Sequence, residues 1–198
     1  MYPTDNSNFN VAHIEPLSHI YGPGKRYVVW FQGCALACEG CWNREMWSFK
    51  PKHQIERNQL LTQILAAEDI EGVTFLGGEP LHQAENLWWL IKSLRARSNL
   101  TIFLFTGYEE AELKQLNHED SVHELCDIVA TGRYDHNQRN TQQQWIGSDN
   151  QKIIYPAASR IKTTPTATNQ IEIILTEDES IRVLGFPDDD ILQQIIKL

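Results

Sequence analysis

Three of the chain's four cysteines fall within eight residues, in the run Gly33-Cys34-Ala35-Leu36-Ala37-Cys38-Glu39-Gly40-Cys41-Trp42-Asn43. Thiolates are soft ligands suited to an iron–sulfur cluster or to zinc, and gaps of three and two residues let one short loop wrap three corners of a cubane. A secreted disulfide framework spreads its cysteines and pairs them, which this run does not. Zinc needs a fourth ligand, and the candidates, Cys126 and His53, lie outside the loop. A three-cysteine site makes better sense if the fourth position is kept for a substrate. Three buried thiols without a metal are the remaining reading.

The loop follows directly on residues 27–31 (Tyr-Val-Val-Trp-Phe), a β-branched and aromatic run that reads as a buried first strand. Residues 55–69 carry Leu60, Leu61, Ile64 and Leu65 at helical spacing. A short strand over 73–76 ends in Gly77-Gly78-Glu79-Pro80, and a second helix over 84–97 places Leu87, Leu90, Ile91 and Leu94 on one face. Residues 100–105 form a third strand ending at Thr106-Gly107-Tyr108. A Glu- and Leu-rich helix over 109–116 and a fourth strand over 127–130 follow. Regular alternation of strand and helix implies parallel strands joined by crossover helices. Each candidate loop stands just after a strand, at the rim where α/β folds gather their ligands.

A chain of 198 residues with 41% apolar and 22% charged content suits one domain with room for an appended element. The net charge of −9 and a pI near 5.2 argue against a broad nucleic-acid-binding surface. No apolar run approaches membrane-spanning length, and the polar N-terminus lacks the plan of a signal peptide, so the expected location is cytoplasmic.

Gly77-Gly78-Glu79-Pro80 taken alone is a tight turn. One strand downstream of the cysteine loop it reads as a cradle, because glycines permit close backbone approach while Glu79 and backbone carbonyls accept hydrogen bonds from an ammonium.

Cys34, Cys38 and Cys41 followed by Trp42 resemble the radical S-adenosylmethionine (SAM) superfamily, and the loop ends a first strand as it does there. The resemblance narrows to the activating enzymes of anaerobic (class III) ribonucleotide reductase. It is carried by Gly22-Pro23-Gly24, Trp42-Asn43, Pro80-Leu81-His82, Thr106-Gly107-Tyr108 and Trp145-Ile146-Gly147-Ser148-Asp149-Asn150-Gln151, over roughly residues 10–155. The resemblance implies an incomplete parallel βα barrel, a [4Fe-4S] cluster on Cys34, Cys38 and Cys41, and SAM chelating the open iron. SAM contacts are implied for Gly40, Cys41, Trp42, Gly77, Gly78, Glu79 and Thr106. The implied activity is reductive cleavage of SAM to a 5′-deoxyadenosyl radical, installing a glycyl radical on a large partner enzyme. Flavodoxin or ferredoxin is the expected reductant, since four cysteines leave too few for a second Cys₄ cluster. Radical modification of another peptide or small molecule is the alternative enzymatic reading, and a non-catalytic iron–sulfur or zinc interaction module is the third.

The sequence departs from those relatives at Thr131, where Asp is common, at Leu76, where Ser is usual, and at Glu39, where Pro is common. Residues 1–155 read as the partial-barrel domain and 156–198 as an extension: a linker or ordered connection over 156–169, a hairpin of strands 170–175 and 180–186, and a last helix from Asp188. The short reductase activases lack this extension, and it reads as a hairpin and helix covering an exposed sheet edge or as a partner-docking element. Cys126 is expected as a buried small hydrophobe. At least one of Trp88 and Trp89 is expected in the core, and Lys25 and Arg26 in a solvated turn.

Overall fold

The computed structural model describes residues 7–161, 170–175 and 181–185. Seven strands make one sheet: β1 (Asn8–Ser18), β2 (Arg26–Phe31), β3 (His53–Glu56), β4 (Gly72–Gly77), β5 (Thr101–Phe105), β6 (Ile128–Thr131) and β7 (Lys152–Ile154), in the order β3-β1-β2-β4-β5-β6-β7. The crossovers carry α1 (Arg57–Ala66), α2 (Ala84–Arg97), α3 (Glu110–Gln115) and α4 (Glu119–Leu125).

The expected alternation yields the centre of the sheet, where β2, β4, β5 and β6 run parallel. The fold as a whole is mixed, because β1 pairs antiparallel with both β2 and β3, and β7 pairs antiparallel with β6. Residues 27–31 therefore lie in the second strand, not the first. Strand β1 hides its period of two behind irregularities between Val11 and His13 and between Glu15 and Ser18, which shift the alternation out of phase. The start of the expected helix over 55–69 is instead strand β3, and Glu56 caps α1 by accepting from Asn58 N at 2.7 Å and Gln59 N at 3.1 Å.

Alternation along the central strands divides the core between two faces. Val29, Phe31, Val73, Phe75, Ile102, Leu104 and Val129 pack against the helices through Leu60, Leu61, Ile64, Leu87, Leu90, Ile91 and Leu94. Cys126 is fully buried among them, and Trp88 joins this core as expected. On the other face, Val28, Trp30 and Leu76 cluster with Ala12, Ile20, Tyr21 and Met46, and Phe103, Ile128 and Ala130 cluster with Trp145 and Ile146. No helix among the described residues is long and apolar enough to cross a membrane.

Strands β8 (Ile171–Leu175) and β9 (Ile181–Gly185) form the expected antiparallel hairpin. The hairpin adds no strand to the main sheet. It lies on the face opposite the helices: Leu184 packs on the Trp30–Tyr21 cluster, Ser18 Oγ donates to Glu172 Oε2 at 2.7 Å, and the Arg182 guanidinium stands 3.1 Å from Glu15 Oε2. The connection at 162–169, the turn at 176–180 and the helix expected from Asp188 lie outside the described residues.

Arg26, expected in a solvated turn, is fully buried. Its guanidinium donates to Thr74 Oγ1 (2.6 Å), Val73 O (2.7 Å), Thr101 O and Oγ1 (both 2.9 Å) and Pro23 O (3.2 Å). Burial pushes its pKa down to about 9, and the ring of acceptors is what makes a buried guanidinium tolerable. Lys25, beside it, pairs with Asp69.

Candidate metal centre and cofactor pocket

The carboxyl ends of β2, β4, β5 and β6 open into one cavity of about 280 Å³. Its wall includes each residue expected to hold the cluster or SAM: Cys34, Cys38, Gly40, Cys41 and Trp42 from the loop after β2, Gly77, Gly78 and Glu79 from the loop after β4, and Thr106 after β5.

The cysteine loop leaves β2 at Gly33 and is fastened at its base, where Gly33 N donates to Met46 O (2.8 Å) and Cys34 N to Trp47 O (3.1 Å). It turns through Ala37 at φ +48°, and Cys41 N closes back on Cys38 O at 3.1 Å. All three thiols of the loop are half-buried, and Trp42 stands 48% exposed at the mouth. Burial pushes the Cys34 and Cys38 thiols up; Glu79 and Cys38 add to the rise at Cys34, and Cys41 adds to it at Cys38. Both therefore favour the protonated form without a metal, and iron binding must release those protons.

Among the described residues, no three His, Cys, Asp or Glu side chains are gathered tightly enough to hold a single metal ion. The cysteines share a wall rather than a point. The lining contains no histidine, and its only carboxylate, Glu79, is engaged elsewhere. Neither outside candidate for a fourth zinc ligand, Cys126 or His53, reaches the lining. A soft three-thiol donor set facing open volume fits a cluster with one uncommitted corner.

The two glycines after β4 are explained by packing. Gly77 has φ +113°, and a Cβ there would lie 2.5 Å from Phe31 N; a Cβ on Gly78 would lie 2.5 Å from Gly33 O. Only glycine lets the β4 loop press against the base of the cysteine loop. Backbone bonds tie the two together, Gly78 N to Phe31 O (2.8 Å) and Glu79 N to Gly33 O (2.9 Å).

Glu79 is 1% exposed. Its Oε1 accepts from Leu81 N and from Thr106 Oγ1, both at 2.9 Å, and its Oε2 accepts from Gly107 N at 2.8 Å. Burial raises its pKa to about 7 against the pull of those three donors. The carboxylate thus joins the β4 and β5 loops, with one acceptor position left on Oε2. Thr106 is likewise committed: its hydroxyl donates to Glu79 and accepts from Tyr108 N at 3.2 Å.

Thr131 does not line the cavity, although its neighbours Ala130 and Gly132 do. Its hydroxyl donates to Lys152 O, 3.5 Å away, across the β6–β7 pairing. Arg133 makes a bidentate pair with Glu112 at 2.7 and 2.8 Å, 5.8 Å from the Tyr108 ring.

The far wall carries residues to which the sequence assigned no site role: Phe105, Tyr134, Arg139, Thr141, Trp145 and Gln151. Most come from the irregular segment between β6 and β7. Trp145 and Gln151 stood in a run noted for its resemblance, whereas Arg139 and Thr141 carry no local signal of any kind.

The family model described as "4Fe-4S single cluster domain" matches residues 20–154. The anaerobic ribonucleoside-triphosphate reductase-activating protein of Enterobacteria phage T4 is 34% identical over 149 residues, covering 73% of this chain and 92% of that protein. The protein of the same name from Pasteurella multocida is 30% identical over 158 residues, 74% of this chain and 96% of its own length. The pyruvate formate-lyase-activating enzyme of Clostridium pasteurianum is 34% identical over 124 residues, which cover 60% of this chain and 51% of that enzyme.

Proposed function

The chain belongs to the 4Fe-4S single cluster domain family, together with these reductase-activating proteins, and from that premise we propose that it is a radical SAM activase acting on a glycyl radical enzyme. The observation that carries the reading is the meeting of three half-buried cysteines with the Gly77-Gly78-Glu79 loop in one cavity. The scaffold on this reading is an incomplete βα barrel whose parallel strands β2, β4, β5 and β6 converge on the site.

Cys34, Cys38 and Cys41 would hold a [4Fe-4S] cluster and leave one iron to the amino and carboxylate groups of SAM. A cluster and SAM held there would supply one-electron reduction of the sulfonium, giving methionine and a carbon-centred radical able to take hydrogen from a glycine of a partner enzyme. The Gly77 and Gly78 carbonyls and the last acceptor position of Glu79 Oε2 receive the ammonium. Thr106 fixes the Glu79 carboxylate, and Gly40 and Trp42 border the mouth. The electron comes from an external donor of the flavodoxin or ferredoxin class.

The test is anaerobic reconstitution with iron and sulfide, reduction, addition of SAM, and mass-spectrometric assay for 5′-deoxyadenosine. The product is expected from the wild type. A fully loaded cluster that releases none overturns the enzymatic reading. Addition of a glycyl radical enzyme from the same source should then give a protein-based radical by EPR.

A further inference from the structure

Arg133 does not line the cavity, although Gly132 and Tyr134 on either side of it do. Its backbone is pinned to the turn before β7: Arg133 O accepts from Asn150 Nδ2 at 2.8 Å, and Gly132 O from Gln151 Nε2 at 2.9 Å. The residues that follow press on the cysteine loop. Gly40 has φ +73°, and a Cβ there would lie 2.9 Å from His136 Cβ and 3.4 Å from the Tyr134 ring. Only glycine between Cys38 and Cys41 lets this segment come so close.

The guanidinium is fixed as firmly as the backbone. Glu112 of α3 takes it bidentately at 2.7 and 2.8 Å, a geometry that aims the charge as well as anchoring it. Burial raises the pKa of Cys38 and of Glu79, and the Arg133 charge pulls both back. Glu112 holds Arg133 in its protonated form, and the neighbouring charges of Cys38 and Glu109 act in the same direction. One cation and its counter-charge therefore stand over the thiol loop with opposite signs.

We propose that the Arg133–Glu112 pair sets the reduction potential of a cluster on Cys34, Cys38 and Cys41, Arg133 favouring the reduced form and Glu112 opposing it. The inference rests on the cluster reading above. Reduction brings one electron from the external donor onto a group that three thiolates already make anionic, and no bond forms or breaks. A fixed cation beside a ligand stabilises that added charge, and a carboxylate destabilises it. The side chains of Arg133 and Glu112 are 40% and 32% exposed, so water damps the effect without cancelling it.

The experiment is a redox titration, followed by EPR, of anaerobically reconstituted wild type, Arg133→Gln, Arg133→Lys and Glu112→Gln, with the iron content of each and the stability of each metal-free protein. At the wild-type midpoint, Arg133→Gln should lower the ratio of reduced to oxidised cluster about 3- to 10-fold, the upper end being about 59 mV. Glu112→Gln, which keeps the cation and removes its counter-charge, should raise that ratio. Arg133→Lys should restore most of the wild-type value. A pair that only fastens α3 to the segment after β6 would destabilise Arg133→Gln and Glu112→Gln alike and leave both midpoints at the wild-type value. That result overturns the proposal, and so do midpoint shifts of the same sign in both variants. Should Arg133→Gln load no cluster, Glu112→Gln decides alone, by a midpoint above the wild type's or not. A wild type that takes up no cluster fails the cluster reading itself, an outcome distinct from loaded proteins with equal midpoints.

Discussion

The two ends of the sheet handle buried polar groups in opposite ways. At the amino end of the strands two buried charged side chains are fully engaged. Arg26 spends its guanidinium on five acceptors. Asp127, also fully buried, accepts from Ile102 N (2.7 Å), Arg160 N (2.8 Å) and the Arg160 side chain (2.9 and 3.1 Å), with Arg95 at 3.5 Å. At the carboxyl end the same protein leaves matters open: thiols pushed up by burial and a glutamate pushed up to about 7. Completed networks hold a fold together, whereas incomplete ones wait for a ligand.

The sharpest way to break this contrast is Asp127→Ala, which strands Arg160 and Arg95 at the closed end. It should cost about 3–5 kcal/mol in denaturant unfolding while iron binding per folded chain is unchanged. Asp127 also has a pH signature. Its partners, Arg160 first, hold its pKa below the ordinary 3.8 despite burial. The stabilisation it gives is therefore present above that value and is lost as pH falls through the lowered folded pKa. Asp127→Ala should remove that acid-side loss.

Glu79 gives the opposite pH dependence at the open end. Its folded pKa near 7 lies above the ordinary 4.5, so its contribution is fully present below 4.5 and is lost as pH rises through about 7. Relative to Glu79→Gln, the metal-free wild type should lose roughly 3 kcal/mol across that window. A difference between the two that does not change between pH 4.5 and 7 would refute the assignment. A smaller effect is expected from Arg182→Ala, which frees the hairpin's grip on Glu15. With the arginine side chain 40% exposed, the cost should be about 1 kcal/mol, read as faster hydrogen exchange in β8 and β9. The smallest effect on stability belongs to Cys38→Ala, within about 0.5 kcal/mol in the metal-free protein, even though the variant should take up no cluster.

Legibility in the sequence follows the same division. Helix α2 lies at Ala84–Arg97 as its apolar spacing indicates, and the glycine loop stands where its strand ends. Both are local patterns. Strand β1 escaped notice because two irregularities break its alternation, and β7 because three residues make too short a run. The burial of Arg26 is not legible locally, because a charged residue beside Gly22-Pro23-Gly24 looks solvated until Thr74 and Thr101 arrive from 48 and 75 residues away. Arg139, Thr141 and Trp145 reach the cavity only through the folding of the irregular segment before β7, which no periodicity describes. The cysteines were legible because their chemistry is written in their spacing alone.

The central claim is that Cys34, Cys38 and Cys41 hold a cluster with one iron open to SAM. Its most direct test is the EPR spectrum of the anaerobically reconstituted, reduced protein, recorded before and after SAM is added. The account predicts about four irons per chain and a reduced-cluster signal whose g-values shift when SAM binds, with neither seen in Cys38→Ala. A fully loaded cluster whose spectrum is identical with and without saturating SAM would contradict it.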